Sequence, residues 1–143
     1  MNKLVGIYER RGTLFISPYH KTETGFWVGD EEIVMVDSGD FSAIAGAVIA
    51  ALSKSREGVS TPERDFDPTA SLLNAAGVAS FSAFAKSAKS LTVELVNGIL
   101  EITPDKYKGS RDGFVPMIEK TIRTGKGDKN LGKAVVEALN IAC

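Results

Sequence analysis

The sequence predicts an α+β fold: a single domain over residues 1–143 in which an antiparallel sheet packs with a few helices. Strand-like segments cluster at the start of the chain and again after residue 90, and helix-like segments lie between and after them. This segregation favours α+β over a regular parallel α/β fold. An Asn-Gly pair at residues 97–98 adds a strong antiparallel hairpin signal. A chain of 143 residues fits one domain and buries roughly 68–70% of its unfolded surface.

The first forty residues predict a meander of antiparallel strands joined by short turns. Four strands are expected, at residues 3–9, 13–17, 25–28 and 32–37. Pro18 is expected to end the second strand. Asp40 then introduces a helix whose apolar residues recur at helical spacing from Phe41 onward. Small residues on the other side of this helix, including Gly46, predict close approach of a second element, and Gly58 is the expected stop.

Two short helices are predicted before the hairpin. Residues 59–66 are polar and are expected to form an exposed loop. Asp67 is a favourable N-cap and Pro68 suits the first helical position, so we expect a helix to begin there and to end at Gly77. Ser80 is expected to begin the second short helix.

The hairpin at residues 90–104 has a predicted register. Asn97 and Gly98 are the residues that best tolerate the positive φ angles of a type I′ turn. A two-residue loop places Glu94 directly opposite Glu101, on the face that alternates with the apolar one. Like charges at such a pair destabilise by roughly 0.2–1 kcal/mol. We therefore expect a cation to offset them, either from this chain, for which Lys86 and Lys120 are candidates, or from a partner.

The C-terminal part predicts a charged loop, one more strand and a last helix. The loop is expected at residues 105–113 and the strand at residues 117–124. Asp128 or Asn130 can cap the final helix.

Composition and charge point to a reducing compartment and a protein partner. Cys143 is the sole cysteine, and no apolar run reaches the roughly 18 residues that a membrane span needs. We expect a cytoplasmic protein with no membrane partner. Net charge is −1, yet residues 31–70 hold eight Asp/Glu and three Lys/Arg. This acidic segment can face a basic protein or simply solvent.

The residues do not predict a catalytic set, a metal site or a cofactor. His20 is the single histidine and is expected on the surface, and residues 127–133 spell GxxxxGK but Ala134 replaces the Ser or Thr of a phosphate loop. Glu63, Asp65 and Asp67 alternate without the pattern of a calcium loop. Three aromatic side chains are expected in the core rather than stacked on bases, namely Phe15, Phe26 and Trp27.

Two other functions stay open on the residues alone. A small enzyme or ligand-binding protein would use the loops around His20 and residues 105–113. A nucleic-acid binder would use a dispersed set of cations, consisting of Lys106, Lys108, Arg111, Arg123 and Lys126. Because a nucleic-acid-binding protein usually shows a dense basic stripe, which is missing from this sequence, no nucleic-acid partner is expected.

Several runs of the sequence resemble the immunity proteins of bacterial contact-dependent growth inhibition systems. They are TPERDFDP, LLNAAGVASFSAFAKSAKSLTVELVNGILEITP, KLVGIYERRGTLFISPYHKTETGFWV and LGKAVVEALNIA. The resemblance implies a non-enzymatic protein that binds the C-terminal toxin domain of a cognate effector and neutralises it. In this family many such toxins are nucleases, often RNases, whose active sites are cationic.

Charge alone selects the residues expected to contact such a partner. They are Glu94, Glu101, Asp30, Glu31, Glu32, Glu63 and Asp65. The oligomeric state is left open.

Overall fold

The computed structural model describes residues 2–63 and 66–143. Within these residues the chain forms nine strands: β1 (Lys3–Arg10), β2 (Thr13–Thr22), β3 (Trp27–Gly29), β4 (Val34–Asp37), β5 (Glu57–Val59), β6 (Ala88–Val96), β7 (Ile99–Tyr107), β8 (Phe114–Pro116) and β9 (Ile122–Gly125). It also forms five helices: α1 (Phe41–Lys54), α2 (Ala70–Ala76), α3 (Phe81–Lys86), α4 (Gly109–Asp112) and α5 (Leu131–Ile141). The predicted α+β class is confirmed.

The strands form one sheet whose main path runs β3-β2-β1-β6-β7-β8. β4 also pairs with β2, and β9 also pairs with β7. These pairings are antiparallel, as predicted, whereas the short β5 runs parallel to β2. The central pairing of β1 with β6 joins the N-terminal meander to the hairpin, and it links residues that are far apart in the sequence, such as Val5 and Val93.

The predicted hairpin register is confirmed at each pair. Glu94 faces Glu101 and Val96 faces Ile99, next to the turn. Asn97 and Gly98 have φ angles of 51° and 80°, the positive values that a type I′ turn requires.

The sheet has a helix-covered face and a second face. Apolar side chains that alternate along the strands, such as Ile7, Ile16 and Val93, are fully buried against α1 and α5. The second face carries Tyr8, Tyr19, Glu94, Glu101 and their neighbours. Helices α2 and α3 cover part of it by packing on an aromatic cluster whose members include Tyr8, Phe15, Phe81 and Phe84.

Pro18 does not end the second strand, contrary to prediction. It lies within β2 opposite Val5, and its carbonyl oxygen accepts a hydrogen bond from Asp30 N–H on the side away from β1. In an extended strand the N and O atoms of one residue point to the same side. The nitrogen of Pro18 therefore faces the gap between β4 and β3, where no ladder hydrogen bond is lost.

The helix predicted with Asp67 as its N-cap begins two residues later, with Thr69 as its N-cap. Asp67 Oδ1 accepts hydrogen bonds from Thr69 N–H and Thr69 Oγ1 at 2.9 and 2.8 Å. Residues 68–69 form a turn, and α2 starts at Ala70. The carboxylate is thus occupied by a local Asx turn, which competes with helix capping for the same side chain.

The predictions for the C-terminal part need two corrections. The loop expected at residues 105–113 is partly regular structure. Residues 105–107 belong to β7, and Gly109–Asp112 forms α4. The strand expected at residues 117–124 is β9 in its last part, preceded by a 3-10 turn over Ile118–Lys120. The cap of α5 lies at Asn130, and Asp128 Oδ1 accepts from Asn130 N–H at 2.8 Å.

Candidate partner-binding face

One cross-strand row on the second face connects the two groups of predicted acidic residues. The pairings place Gly29, Tyr19, Leu4, Glu94, Glu101 and Arg123 side by side on successive strands. Neighbouring strands lie about 4.8 Å apart, so Glu94 lies about 14 Å from Gly29. The β3–β4 loop, which starts at Asp30, therefore begins at the end of the same cross-strand row that contains Glu94.

The glutamate pair of the hairpin is partly neutralised from within the molecule. Arg123 on β9 donates from Nε to Glu101 Oε2 at 3.0 Å. The expected internal candidates, Lys86 and Lys120, are not the cations that pair with it. Glu94 Oε2 accepts a hydrogen bond from Asn2 Nδ2, a neutral group, at 3.0 Å. Among the described residues Glu94 has no ion-pair partner, so it keeps its charge available on the second face.

The acidic β3–β4 loop is divided between internal contacts and solvent. Glu32 Oε1 pairs with Lys54 Nζ at 2.7 Å, which ties the loop to the end of α1. Asp30 Oδ2 lies 2.6 Å from His20 Nε2, and its Oδ1 accepts from Glu32 N–H at 2.8 Å. Glu31 is exposed and forms no ion pair within the described part of the chain.

His20 is not the surface residue that its polar neighbours suggested. It lies in β2 with 7% of its surface exposed. Its Nδ1 accepts a hydrogen bond from Arg56 N–H at 3.1 Å, so the ring proton resides on Nε2 and is donated to Asp30. Both ring nitrogens are engaged, and the imidazole positions the β3–β4 loop.

Asp30 is held ionised by these contacts. Partial burial would raise its pKa, but the hydrogen bonds from His20 and from Glu32 N–H outweigh that effect and set the pKa of Asp30 below its usual value. The charge of Asp30 is therefore a fixed feature of the loop at neutral pH.

The two remaining acidic predictions fall after β5. Glu63 is exposed, and its carbonyl oxygen accepts from Phe66 N–H at 3.0 Å. Asp65 lies outside the described residues. No pairing of the sheet places Glu63 on the Glu94 row.

A cleft adjoins the acidic loop, and sequence reasoning did not anticipate it. It consists of two adjoining cavities, of about 290 and about 260 Å³, that share Gly29, Asp30, Pro68 and Ser71 as walls. The first is lined by side chains of the second face, including Tyr8, Tyr19 and Trp27, and the second is flanked by Glu31, Phe66 and Asp67. The cleft therefore brings β2, β3 and the segment before α2 to one place.

The three aromatic residues expected in the core have three different positions. Phe15 is buried with 4% exposure, whereas Phe26 is 69% exposed. Trp27 is half-buried and lines the cleft. Gly29 pairs with Tyr19 on the second face, and Trp27 lies two residues before Gly29 in β3. Because side chains two residues apart in a strand share a face, this alternation places Trp27 on the second face.

A buried polar cluster lies behind the cleft. Asp105 has 6% exposure, and its Oδ2 accepts from Ser90 Oγ at 2.8 Å. Burial raises the pKa of Asp105 above its usual value despite the bond from Ser90. Burial likewise raises the pKa of Tyr19, whose hydroxyl hydrogen-bonds with Tyr8. The Tyr19 ring lies directly over Gly6, where a Cβ would collide with it.

Within the described ranges, no cluster of three or more His, Cys, Asp or Glu side chains is arranged to hold a metal ion. The same residues contain no helix with the length and hydropathy of a membrane span.

Comparison of the sequence with family models decides the identity of the chain. The model for the CDI immunity protein family, CdiI, matches residues 31–142, which is most of the chain. The chain belongs to the CDI immunity protein family. The family resemblance inferred from the sequence is thus confirmed. No curated protein matches this CDI immunity protein at the sequence level.

Two solved structures share the fold of this CDI immunity protein. A protein of unknown function from Neisseria meningitidis superposes with a TM-score of 0.82 at 18% identity, covering 100% of this chain and 96% of that one. A chain of the CdiA-CT/CdiI toxin and immunity complex from Yersinia pseudotuberculosis gives a TM-score of 0.76 at 14% identity, covering 100% and 98%. At these identities the likeness concerns the fold. The second structure is nevertheless that of a toxin and immunity complex.

Proposed function

We propose that this immunity protein binds and neutralises the C-terminal toxin domain of a cognate contact-dependent growth inhibition effector. The family match over residues 31–142 is the observation that carries the proposal. The likeness to a CdiA-CT/CdiI toxin and immunity complex supports it, because the same fold occurs there in a complex with a toxin. We place this action in the cytoplasm, where the toxin would meet its target.

We further propose that the toxin is a nuclease, in particular an RNase, and that the second face contacts its cationic active site. A nuclease binds phosphates with Lys and Arg side chains. Glu94 and Glu31 are carboxylates on and beside the second face that lack ion pairs among the described residues. They can therefore attract such a surface with little loss of internal contacts. Glu101 contributes less, because Arg123 already occupies it.

The protein would act by occupying the toxin and not by catalysis. An enzyme that used His20 would need a free ring nitrogen, but Nδ1 is bound by Arg56 N–H and Nε2 by Asp30. Residues 105–113 do not form a site together with His20 either, since Asp105 lies on β7, three strands away from β2.

Purified immunity protein should co-elute with the toxin domain encoded beside it when both are mixed at micromolar concentration, and it should abolish toxin activity on RNA. Charge reversal at Glu94 or Glu31, to Lys, should weaken binding by about tenfold or more, as expected for charged groups in an interface. Glu137→Lys is the matched control, because Glu137 lies on α5, across the sheet from the second face.

Separate elution of the two wild-type proteins would refute toxin binding. Co-elution with a toxin that leaves RNA and DNA intact would refute the proposal that the toxin is a nuclease, while toxin binding would stand. If both reversals leave the dissociation constant at the value of Glu137→Lys, the second face is not the contact surface.

A further inference from the structure

The cleft beside the β3–β4 loop consists of two adjoining cavities. Its two cavities measure about 290 and about 260 Å³, so the whole cleft falls within the roughly 300–1,000 Å³ typical of small-molecule sites. It is walled by the second face of the sheet on one side and by α2 with the segment before it on the other. A single extended side chain from another protein would fit in this space.

One wall of the cleft is aromatic. Trp27 and Tyr19 line it from neighbouring strands, and Trp27 is half-buried. The Tyr19 ring packs over Gly6, where a Cβ would collide with it. Aromatic faces carry a negative quadrupole that attracts cations.

The mouth of the cleft is lined with carboxylates. Asp30 lines both cavities, and Glu31 and Asp67 flank the outer one. Hydrogen bonds from Thr69 N–H and Thr69 Oγ1 lower the pKa of Asp67, so it is ionised at neutral pH. Glu31 and Asp67 form no ion pair among the described residues. A group bound across the two cavities would therefore contact carboxylates in one and an aromatic wall in the other.

We infer that the cleft receives one arginine side chain of the toxin, with its guanidinium between the aromatic wall and the carboxylates at the mouth. This inference rests on the proposed function. A guanidinium suits the site better than an ammonium, because it is planar, stacks on aromatic rings, binds carboxylates with two parallel bonds and sheds water more readily. An apolar side chain would leave the carboxylates at the mouth desolvated and without a partner.

The cleft can be tested without the toxin. Trp27 is the single tryptophan of the chain, so its fluorescence reports on the cleft. Butylguanidinium should quench or shift this fluorescence in a saturable way at about millimolar concentration, as expected for a ligand of its size. Butylurea has nearly the same shape and no charge, and it should have no saturable effect. Equal responses to both, or no response to either, would overturn the inference.

Two variants change the charge of the cleft and the space inside it separately. Glu31→Gln with Asp67→Asn removes two charges while the Asn can still accept the bonds from Thr69. Ser71→Phe leaves the charges and fills the cleft, since Ser71 lines both cavities. Both variants should lose the butylguanidinium response, and Glu137→Gln should keep it.

The same variants then test the contact with the toxin. By calorimetry, the double variant and Ser71→Phe should each bind the toxin domain at least about tenfold more weakly than wild type, whereas Glu137→Gln should not. If wild type binds and both cleft variants bind equally well, this inference fails and the proposed function survives. If wild type does not bind the toxin, the proposed function fails, and the butylguanidinium titration still decides whether the cleft is a cation site.

Discussion

Asp105 illustrates how single residues on the second face depend on their surroundings. It lies in β7 and bonds to Ser90, close to Tyr8 and Tyr19, with 6% exposure. Burial removes water from its carboxylate, and one bond from Ser90 Oγ does not compensate, so the pKa of Asp105 is raised. His20 shows the opposite case, since its contacts lower the pKa of a neighbouring Asp30 that would otherwise be raised by burial.

The raised pKa of Asp105 predicts that Asp105→Asn stabilises the protein at neutral pH. The pKa of Asp105 is about 3.9 in the unfolded state and higher in the folded state. Between these two values the folded state binds more protons than the unfolded state. Stability contributed by this group therefore falls as pH rises through that window and stays low above it. Asn removes the titration, and its side-chain oxygen can still accept from Ser90.

Urea denaturation of wild type and Asp105→Asn from about pH 4 to about pH 7 measures this difference. The variant should gain stability relative to wild type as pH rises. Ser90→Ala removes the donor to Asp105, so this variant should become less stable relative to wild type as pH rises. A difference between wild type and Asp105→Asn that does not change with pH would contradict the prediction.

Among the helices, the packing of α1 against α5 depends on one glycine. A Cβ on Gly132 would collide with the carbonyl group of Phe41 at the start of α1. The close approach of helices that the small residues of α1 predicted thus occurs through α5. Gly46 on α1 itself is exposed, and a Cβ added there would meet no atom within 4 Å. The predicted close approach to the small-residue side of α1 is therefore wrong at Gly46.

Gly132→Ala should lower the free energy of unfolding by about 1–3 kcal/mol, because overpacking at a backbone contact forces the helices apart. Helix propensity alone predicts the opposite sign, a gain of about 1 kcal/mol. Gly46→Ala is the matched control: the same change in an uncrowded helix should raise stability by about 0.5–1 kcal/mol. Urea midpoints measure both, and a Gly132→Ala protein as stable as Gly46→Ala would show that no tight contact exists.

Across the protein as a unit, the arrangement of charge matters more than its sum. The net charge is −1, yet Glu31, Asp67 and Glu94 are gathered on or beside one face, while α1 and α5 cover the other. Several acidic groups are already engaged internally, by Lys54, Arg123 and His20. Under the proposed function, these carboxylates would attract a cationic partner to the second face although the protein is nearly neutral.

This arrangement predicts a salt-dependent association rate with the toxin domain. Raising ionic strength from about 50 to about 500 mM shortens the Debye length several-fold, so the association rate should fall by about tenfold or more while dissociation changes less. Stopped-flow mixing measures both rates. The Glu94→Lys variant should show a weaker dependence than Glu137→Lys, and an association rate insensitive to salt would argue against electrostatic attraction.

Sequence patterns were sufficient to predict the α+β class, the hairpin register with Glu94 opposite Glu101, the start of α1 after Asp40 and the family of the chain. The structural features among these follow from turn chemistry, side-chain alternation and capping, which act over a few neighbouring residues. Three other features became visible only in the folded chain: Arg123 neutralises Glu101, His20 is buried beneath Asp30, and Trp27 and Ser71 enclose a cleft. Each of these depends on which distant strands and helices become neighbours, and local sequence patterns do not specify such long-range pairing.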